Sequence, residues 1–340
     1  MKTILFKTII IAFFVGTAVS CSDEDENRFR PGSTHEKPNP TEPEGGLDYS
    51  KLTADNHPRL LMNAEAFTAL KAKVDANSSA NLTLLHNTIM SVCNSKGMNA
   101  TALTYKLDAS NKRILDVSRD ALLRIFTCAY AYRMTGDAKY LTKAETDMNA
   151  VCNFPDWNSK RHFLDVGEMA TAGGVGLPPP DWLYNELSAA TRTKAANALL
   201  KFAFQQAQNK NWNLNFYEAT NNWNQVCNGG LVCAALASYE NNPSEAKDMI
   251  EKALESNKPA LEVMYSPDGN YPEGSGYWCY VTLYQVLMLA ALNSTLGTDN
   301  GLSDTPGFSK TAEYMLYMTG LNSKFFNYSD CAPSSTAALD

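Results

Sequence analysis

The chain has 340 residues and a formal net charge of −7 at neutral pH, which argues against a nucleic-acid partner because such a partner requires a basic face. It has four histidines and no CxxC pair, so we expect neither a metal site nor a cofactor within it. Four of its eight cysteines lie among apolar helical residues and are interpreted as small hydrophobic residues: Cys93, Cys128, Cys152 and Cys233.

The N-terminus has the pattern of an export signal. Lys2 and Lys7 precede an apolar run that ends in small residues before Cys21, which predicts a signal peptide over residues 1–20. The run is shorter than the ~20 residues needed to span a bilayer. Its end resembles a bacterial lipobox, although Ala18 stands where such motifs usually carry leucine. The resemblance implies lipidation of Cys21 and an outer-membrane lipoprotein, periplasmic or exposed at the cell surface, that contacts the membrane only through this lipid.

Residues 21–56 are predicted to form a solvated tether. They are rich in acidic residues, proline and glycine, and such a segment buries too little apolar surface to become ordered on its own. His35 belongs to this segment. We therefore expect the folded domain to occupy residues 57–340.

The folded domain shows the apolar periodicity of helical hairpins. In the stretch 111–154, two periodic runs are separated by Gly136 and Asp137, a glycine stop followed by an aspartate cap. Asn242, Pro243 and Glu245 are interpreted as a helix start with a cap, a first-position proline and a capping-box acid. The helical pattern recurs over the stretches 187–209, 223–255, 274–297 and 305–320. Strand-like alternation is missing, so the sequence predicts an all-α fold of roughly ten helices or more.

Repeated helical hairpins must stack in order to bury their apolar faces. Two arrangements satisfy this requirement, an open solenoid and an α/α toroid, and periodicity does not choose between them. In a toroid the inner helices run parallel, so their N-termini meet at one end. Free N–H groups and the helix dipole make that end attractive to anions such as a uronic acid.

Four stretches of the domain are informative because of their residues and their order along the chain: "HPRLLMNAEAFTALKAKV", "RHFLDVGEMA" followed by "DWLY", "NNWNQVCNGG", and "DGNYPEGSGYW". Together they resemble the helical domain of the heparinase II/III-like polysaccharide lyases and the related alginate lyases, from His57 to about Tyr328. The resemblance implies an α/α toroid that acts on an anionic polysaccharide. Members of that family carry a β-sandwich after the helical domain, and the 340 residues lack a strand-rich second half. We therefore expect an incomplete toroid, truncated towards its C-terminus.

The chemistry of these lyases explains the residue types in two of the stretches. A lyase cleaves the bond to C4 of a uronic acid by removing the C5 proton, which is a very weak acid while the adjacent carboxylate keeps its charge. A neutral donor such as an asparagine amide must therefore bind that carboxylate. A tyrosine then removes the C5 proton and returns one to the leaving oxygen.

By this resemblance, Asn222 neutralises the carboxylate and Tyr277 is the catalytic base and acid. Some family members have a histidine where Trp223 stands, so this chain favours a scheme that uses tyrosine alone. Alternatives for the two roles are Asn221 and Asn224 for the first, and Tyr271 and Tyr280 for the second. Predicted substrate contacts are His162, Trp223, Asn224, Glu273 and Trp278.

Each of these residues also has a structural interpretation. Asn221 and Asn222 could be ordinary helix caps, Tyr277 could be core, and Glu273 could be a first-turn acid that interacts with the dipole. Tryptophans at positions 182, 212, 223 and 278 either stack on sugar rings or pack inside the helical domain.

Two other functions are open. A glycoside hydrolase on the same fold would need two carboxylates facing each other across a cleft, and the candidates are Asp165, Glu168, Asp181 and Glu273. A non-catalytic glycan-binding lipoprotein would use the aromatic residues to bind sugar, with Asn222 serving only as a cap.

Overall fold

The computed structural model describes residues 46–110, 112–158, 160–171, 181–209, 215–321 and 324–331. The predicted signal peptide, Cys21, His35 and Trp212 lie outside the described residues, as does most of the predicted tether. The end of that tether needs a correction. Leu52 is buried, and the ring of Tyr49 stacks on Tyr239 with 5.1 Å between centroids, so the packed chain begins before residue 57.

The described residues form ten helices of seven residues or more. An isolated bridge between Thr319 and Phe325 is the one β feature among these residues, and the predicted all-α class is confirmed. The helices are α1 Ala64–Asp75, α2 Ala80–Val92, α3 Leu115–Thr135, α4 Ala138–Cys152, α5 Phe163–Thr171, α6 Ala189–Leu199, α7 Asn222–Ser238, α8 Pro243–Tyr265, α9 Ser275–Leu296 and α10 Thr311–Tyr317.

Local sequence signals account for several helix ends. Gly136 follows α3 with a φ of 72°, a left-handed conformation that glycine adopts without strain, and the Asp137 side chain accepts from the N–H of Lys139 to begin α4. The helix start predicted at Asn242, Pro243 and Glu245 is confirmed: Asn242 precedes α8, Pro243 is its first residue, and Glu245 lies in its first turn. The side chain of Asn242, however, makes no capping hydrogen bond.

The helices are arranged in two rows. α3, α5, α7 and α9 pack side by side in one row, and α4, α6 and α8 form a second row, to which α6 contributes through its π-helical continuation Leu200–Phe204, which contacts α5 and α8. α7 lies between α5 and α9 and also packs on α8. Every residue of α7 from Asn224 to Ser238 is buried, and most of them are apolar or small; the larger polar side chains are Asn224, Gln225 and Asn228, in its first two turns.

Among the described helices, α9 is the one whose length and composition would suffice to cross a membrane. More than half of its most apolar window is buried within the protein. Its hydrophobicity is explained by its place in the row beside α7.

Glycines allow the backbones of α5, α7 and α9 to approach closely. A Cβ atom on Gly230 would overlap the carbonyl oxygen of Gly167 in α5, and one on Gly229 would lie 2.9 Å from the carbonyl oxygen of Tyr284 in α9. A Cβ on Gly167 would lie 2.9 Å from the Cα of Cys227. Of the two glycines of "CNGG", Gly230 therefore faces α5 and Gly229 faces α9.

The stretches that begin with His57 and with Asp181 meet at the C-terminal end of α7. The Asp181 carboxylate accepts from the backbone N–H groups of Arg59 and Leu60 and from Nδ1 of His57. The Arg59 guanidinium donates to the carbonyl oxygen of Leu236, in the last turn of α7. A cation is favourable there because the unpaired carbonyl groups give this end of a helix a partial negative charge.

His57 is held between two carboxylates in this cluster. Its ring nitrogens lie 2.7 Å from Asp181 and 3.0 Å from Glu240, and its ring stacks on Tyr184. Burial lowers the pKa of His57, but the two hydrogen bonds outweigh it and raise the pKa above its ordinary value. For Glu240, hydrogen bonds from His57 and Arg59 outweigh burial and lower the pKa to about 2.

Replacing Gly230 by alanine should destabilise the fold, because the added methyl group would meet backbone that cannot move aside. We expect Gly230→Ala to lower the free energy of unfolding by about 3 kcal/mol, measured by urea denaturation. Gly276→Ala is the matched control: this helical glycine has no atom within 4 Å of its Cβ position. The control should leave stability unchanged or raise it by up to about 1 kcal/mol. Equal stabilities of the two variants would contradict the close approach.

The stability contributed by His57 should depend on pH. Because its pKa is higher in the folded state than the unfolded value of about 6.5, its contribution is complete below that pH and is lost as pH rises through the folded pKa. The stability difference between wild type and His57→Gln should therefore be largest near pH 6 and shrink towards pH 9, measured as free energies of unfolding. A difference that stays constant over this range would show that the ring is not charged in the fold.

Candidate active site at the starts of the inner helices

The starts of three helices of the first row, α5, α7 and α9, lie together. His162, directly before α5, contacts Trp223 at the start of α7, with ring centroids 4.5 Å apart. Asn222, the first residue of α7, hydrogen-bonds to Glu273, which lies two residues before α9. Because these contacts all involve helix N-termini, the three helices point their N-terminal ends towards one region of the surface, here called the mouth.

Glu273 fixes the position of Asn222. Its carboxylate accepts from the Asn222 side-chain amide at 2.7 Å and from the Asn222 backbone N–H at 3.0 Å. The Tyr271 hydroxyl donates to the same carboxylate at 3.2 Å. The backbone bond places a negative charge at the N-terminus of α7, where the helix dipole favours it. An asparagine amide has two N–H donors, so one remains for a ligand.

The structure separates the three neighbouring asparagines. Asn221 is exposed, and its side chain caps α7 by accepting from the N–H of Trp223. Asn222 is partly exposed at the mouth. Asn224 is fully buried. Of the three, Asn222 alone combines a side-chain amide that donates at the mouth with a fixed position at the helix start.

The predicted substrate contact at Asn224 is wrong, because its side chain joins α7 to α8 in the interior. Its amide nitrogen donates to the Phe216 carbonyl at 3.1 Å and to the Ser256 hydroxyl at 3.0 Å. Its amide oxygen accepts from Asn228 at 3.1 Å and from Asn257 at 3.0 Å. Asn224 is thus part of a buried amide network that positions the start of α7.

The three candidate tyrosines, Tyr271, Tyr277 and Tyr280, also differ in burial and in their hydrogen-bond partners. Tyr271 is fully buried, and burial raises its pKa well above the ordinary range. Tyr280 donates its hydroxyl to Glu168, and burial raises its pKa well above the ordinary range too. Both phenols therefore stay protonated. Tyr277 lies in the first turn of α9, is partly exposed, and packs edge-on against Tyr280 with centroids 6.4 Å apart.

An ion pair lies beneath these tyrosines that sequence reasoning missed. Arg119 of α3 binds the buried Glu168 with N–O distances of about 3 Å, and its guanidinium lies 5.2 Å from the centre of the Tyr280 ring. Burial raises the pKa of Glu168, while Arg119 opposes the rise. Arg119 could not be singled out from the sequence, since an arginine at this helical spacing is more often on a solvated face.

His162 is neutral at the mouth. Burial lowers its pKa, and the nearby Arg113 lowers it further. The ring is partly exposed and packs against Trp223 at a tilt of 37°, so the two rings form an aromatic pair, in which Trp223 directly follows Asn222 in the chain.

Two other predicted tryptophans have different surroundings. Trp278 is partly exposed and turns towards α10, where its indole N–H donates to the Thr311 hydroxyl at 2.7 Å. Trp182 is fully buried and donates to the Leu60 carbonyl, so the sugar-stacking interpretation is wrong for it and the packing one is right.

All four candidate hydrolase carboxylates have hydrogen-bond partners within the protein. Asp165 is buried and accepts from the Arg113 side chain, the Ile114 backbone N–H and the Asn158 amide. It thereby joins the start of α3 to the start of α5. Asp181 is buried in the cluster around His57. Glu168 is fully buried against Arg119 and Tyr280, and Glu273 alone of the four is partly exposed.

The assignment of Asn224 to the interior predicts a large effect on stability. Asn224→Ala removes the acceptor of two buried amides, on Asn228 and Asn257, and should lower the free energy of unfolding by about 2–4 kcal/mol. The neighbouring Asn221→Ala removes one exposed cap and should cost about 1 kcal/mol. Chemical denaturation of both variants measures the difference, and an Asn224→Ala protein as stable as wild type would refute the assignment.

Comparison of the chain with models of known protein families and with curated proteins finds no match.

Proposed function

We propose that the chain is a polysaccharide lyase that cleaves a uronic-acid-containing glycan by β-elimination. The observation that supports this most directly is the hydrogen-bonded pair of Asn222 and Glu273, which joins the start of α7 to the residues preceding α9. Tyr277 follows one turn after Glu273. An amide donor and a phenol thus belong to two helix starts that are held against each other, as the chemistry requires.

In the proposed reaction, the free amide hydrogen of Asn222 binds the carboxylate of the uronic acid. Charge that develops there as C5 loses its proton is stabilised by this neutral donor. Tyr277 reacts in its deprotonated form: the phenolate takes the C5 proton and becomes a phenol, the electrons of the C5–H bond form the C4–C5 double bond, and the C4–O4 bond breaks. The phenol returns a proton to O4, so the step needs no other reactant.

His162 and Trp223 have the character of a sugar-binding platform. Both rings are partly exposed at the mouth, and neither carries a charge that would repel or trap an anionic glycan. Aromatic surfaces of this kind bind the apolar faces of sugar rings. We assign the sugar next to the cleaved bond to this platform.

The two rows of helices fit an arc of an α/α toroid, with α3, α5, α7 and α9 inside and α4, α6 and α8 outside. In such a fold the mouth is the end at which a long polymer enters. The lipid anchor at Cys21 belongs to the same proposal, because a lyase outside the cytoplasm meets polymers that cannot cross a membrane.

The proposal is tested with the full chain and four uronate polymers: alginate, hyaluronan, chondroitin sulfate and heparan sulfate. We expect at least one of them to yield an unsaturated product, followed by its ultraviolet absorbance. Asn222→Ala and Tyr277→Phe should each lower kcat by about 100-fold or more without unfolding the protein. Tyr317→Phe, at a tyrosine that is 83% exposed on α10, is the control and should be fully active.

Two outcomes of this experiment would overturn the proposal. New reducing ends without a double bond would show hydrolysis, a reaction that two carboxylates catalyse. Binding of a polymer that is never cleaved, and that survives Tyr277→Phe, would show a glycan-binding protein.

A further inference from the structure

Three sulfur atoms meet in the interior between α2 and α3. The Sγ atoms of Cys93 and Cys128 are 3.8 Å apart, and the Sδ of Met98 lies 3.9 Å from Cys128 Sγ. Both cysteines are fully buried, and both are free thiols in the structure. Since 3.8 Å is a contact distance, no other atom lies between the two thiols.

A local distortion brings Cys93 to this place. α2 continues into a π-helical turn, Cys93–Gly97, that packs on α3. A Cβ atom on Gly97 would lie 2.6 Å from the Thr127 hydroxyl, so this turn fits against α3 because its last residue is glycine. π-helical turns interrupt regular helices at specific positions, frequently functional ones. Here the turn presents a thiol to the middle of a neighbouring helix.

We propose that Cys93 and Cys128 form a disulfide bond that ties α2 to α3 in an oxidising environment. The bond would close a loop between residues 35 positions apart in sequence, and a cross-link of that span restricts the unfolded chain strongly. The export signal predicted at the N-terminus gives the reason to expect such an environment, since disulfides persist in exported proteins.

The reaction is a thiol–disulfide exchange. Contact with the Cys128 thiol lowers the pKa of Cys93, and the same contact together with burial raises the pKa of Cys128, so Cys93 supplies the attacking thiolate. When the π-helical turn opens locally and exposes the pair, this thiolate attacks the disulfide of a small oxidant such as glutathione disulfide and forms a mixed disulfide. Cys128 then displaces the glutathione thiolate. The protein loses two protons and two electrons, and the oxidant is reduced to two thiols.

Tryptic digestion gives a direct test. Cys93 lies on the peptide 74–96 and Cys128 on the peptide 125–133, and each peptide contains a single cysteine. The full chain is incubated with glutathione disulfide, denatured, alkylated with iodoacetamide and digested without reduction. We expect the two peptides to be joined, with a mass two hydrogens below their sum. Cys227 and Cys233 of α7 should be alkylated in the same sample.

The thermal midpoint gives a second measurement. The oxidised protein should unfold about 5 °C above the protein kept in a reducing agent. Cys93→Ala should abolish this shift, whereas the control Cys233→Ala should preserve it. Alkylation of both Cys93 and Cys128 after oxidation would overturn the proposal, and so would a copper or zinc ion that copurifies with two intact thiols. The mass measurement uses the unsubstituted chain, so it stands even where a variant fails to fold.

Discussion

The arrangement of the row α3, α5, α7 and α9 depends on how closely α7 approaches its two neighbours. Gly230 meets the backbone of α5, and Gly229 meets the backbone of α9, with no side chain between them. A methyl group at either contact would push helices apart that are otherwise held by side chains along their full length. This spacing also brings the helix starts near enough for Asn222 to reach Glu273. Helix packing in the interior therefore determines the geometry of the mouth at the surface.

Both ends of α7 carry a charge that complements its dipole. Glu273 is a carboxylate at the N-terminus, where it accepts a backbone N–H, and Arg59 is a guanidinium at the C-terminus, where it donates to a backbone carbonyl. A helix buried from Asn224 to Ser238 has little water with which to satisfy these groups. The two charges come from segments far apart in the chain, so they also hold those segments in place. The contact of Glu273 with the start of α7 therefore both stabilises that helix end and assembles the mouth.

The sequence predicted what is decided locally. The stop at Gly136, the cap at Asp137 and the helix starts before Asn222 and Ser275 follow from short patterns, and the structure has them. The roles of neighbouring asparagines could not be separated in this way. Asn221, Asn222 and Asn224 differ in their partners, and the partners of Asn224 and Asn222 lie up to 51 positions away.

Two further features needed distant contacts as well. The role of Arg119 is set by its ion pair with Glu168, which lies on another helix, so it could not be predicted from the residues around Arg119. Leu52 and Tyr49 looked like part of a polar segment, because two apolar side chains among acidic residues bury little surface until a folded core receives them.

The enclosure of α7 has a consequence for motion. A helix surrounded by α5, α8 and α9 cannot loosen alone, since water reaches its amides only after three neighbours have moved away. Its amide hydrogens should be among the slowest in the molecule to exchange with solvent, leaving only on global opening. Asn222 is the first residue of that helix, so its backbone is attached to an enclosed segment and its side chain is held by Glu273.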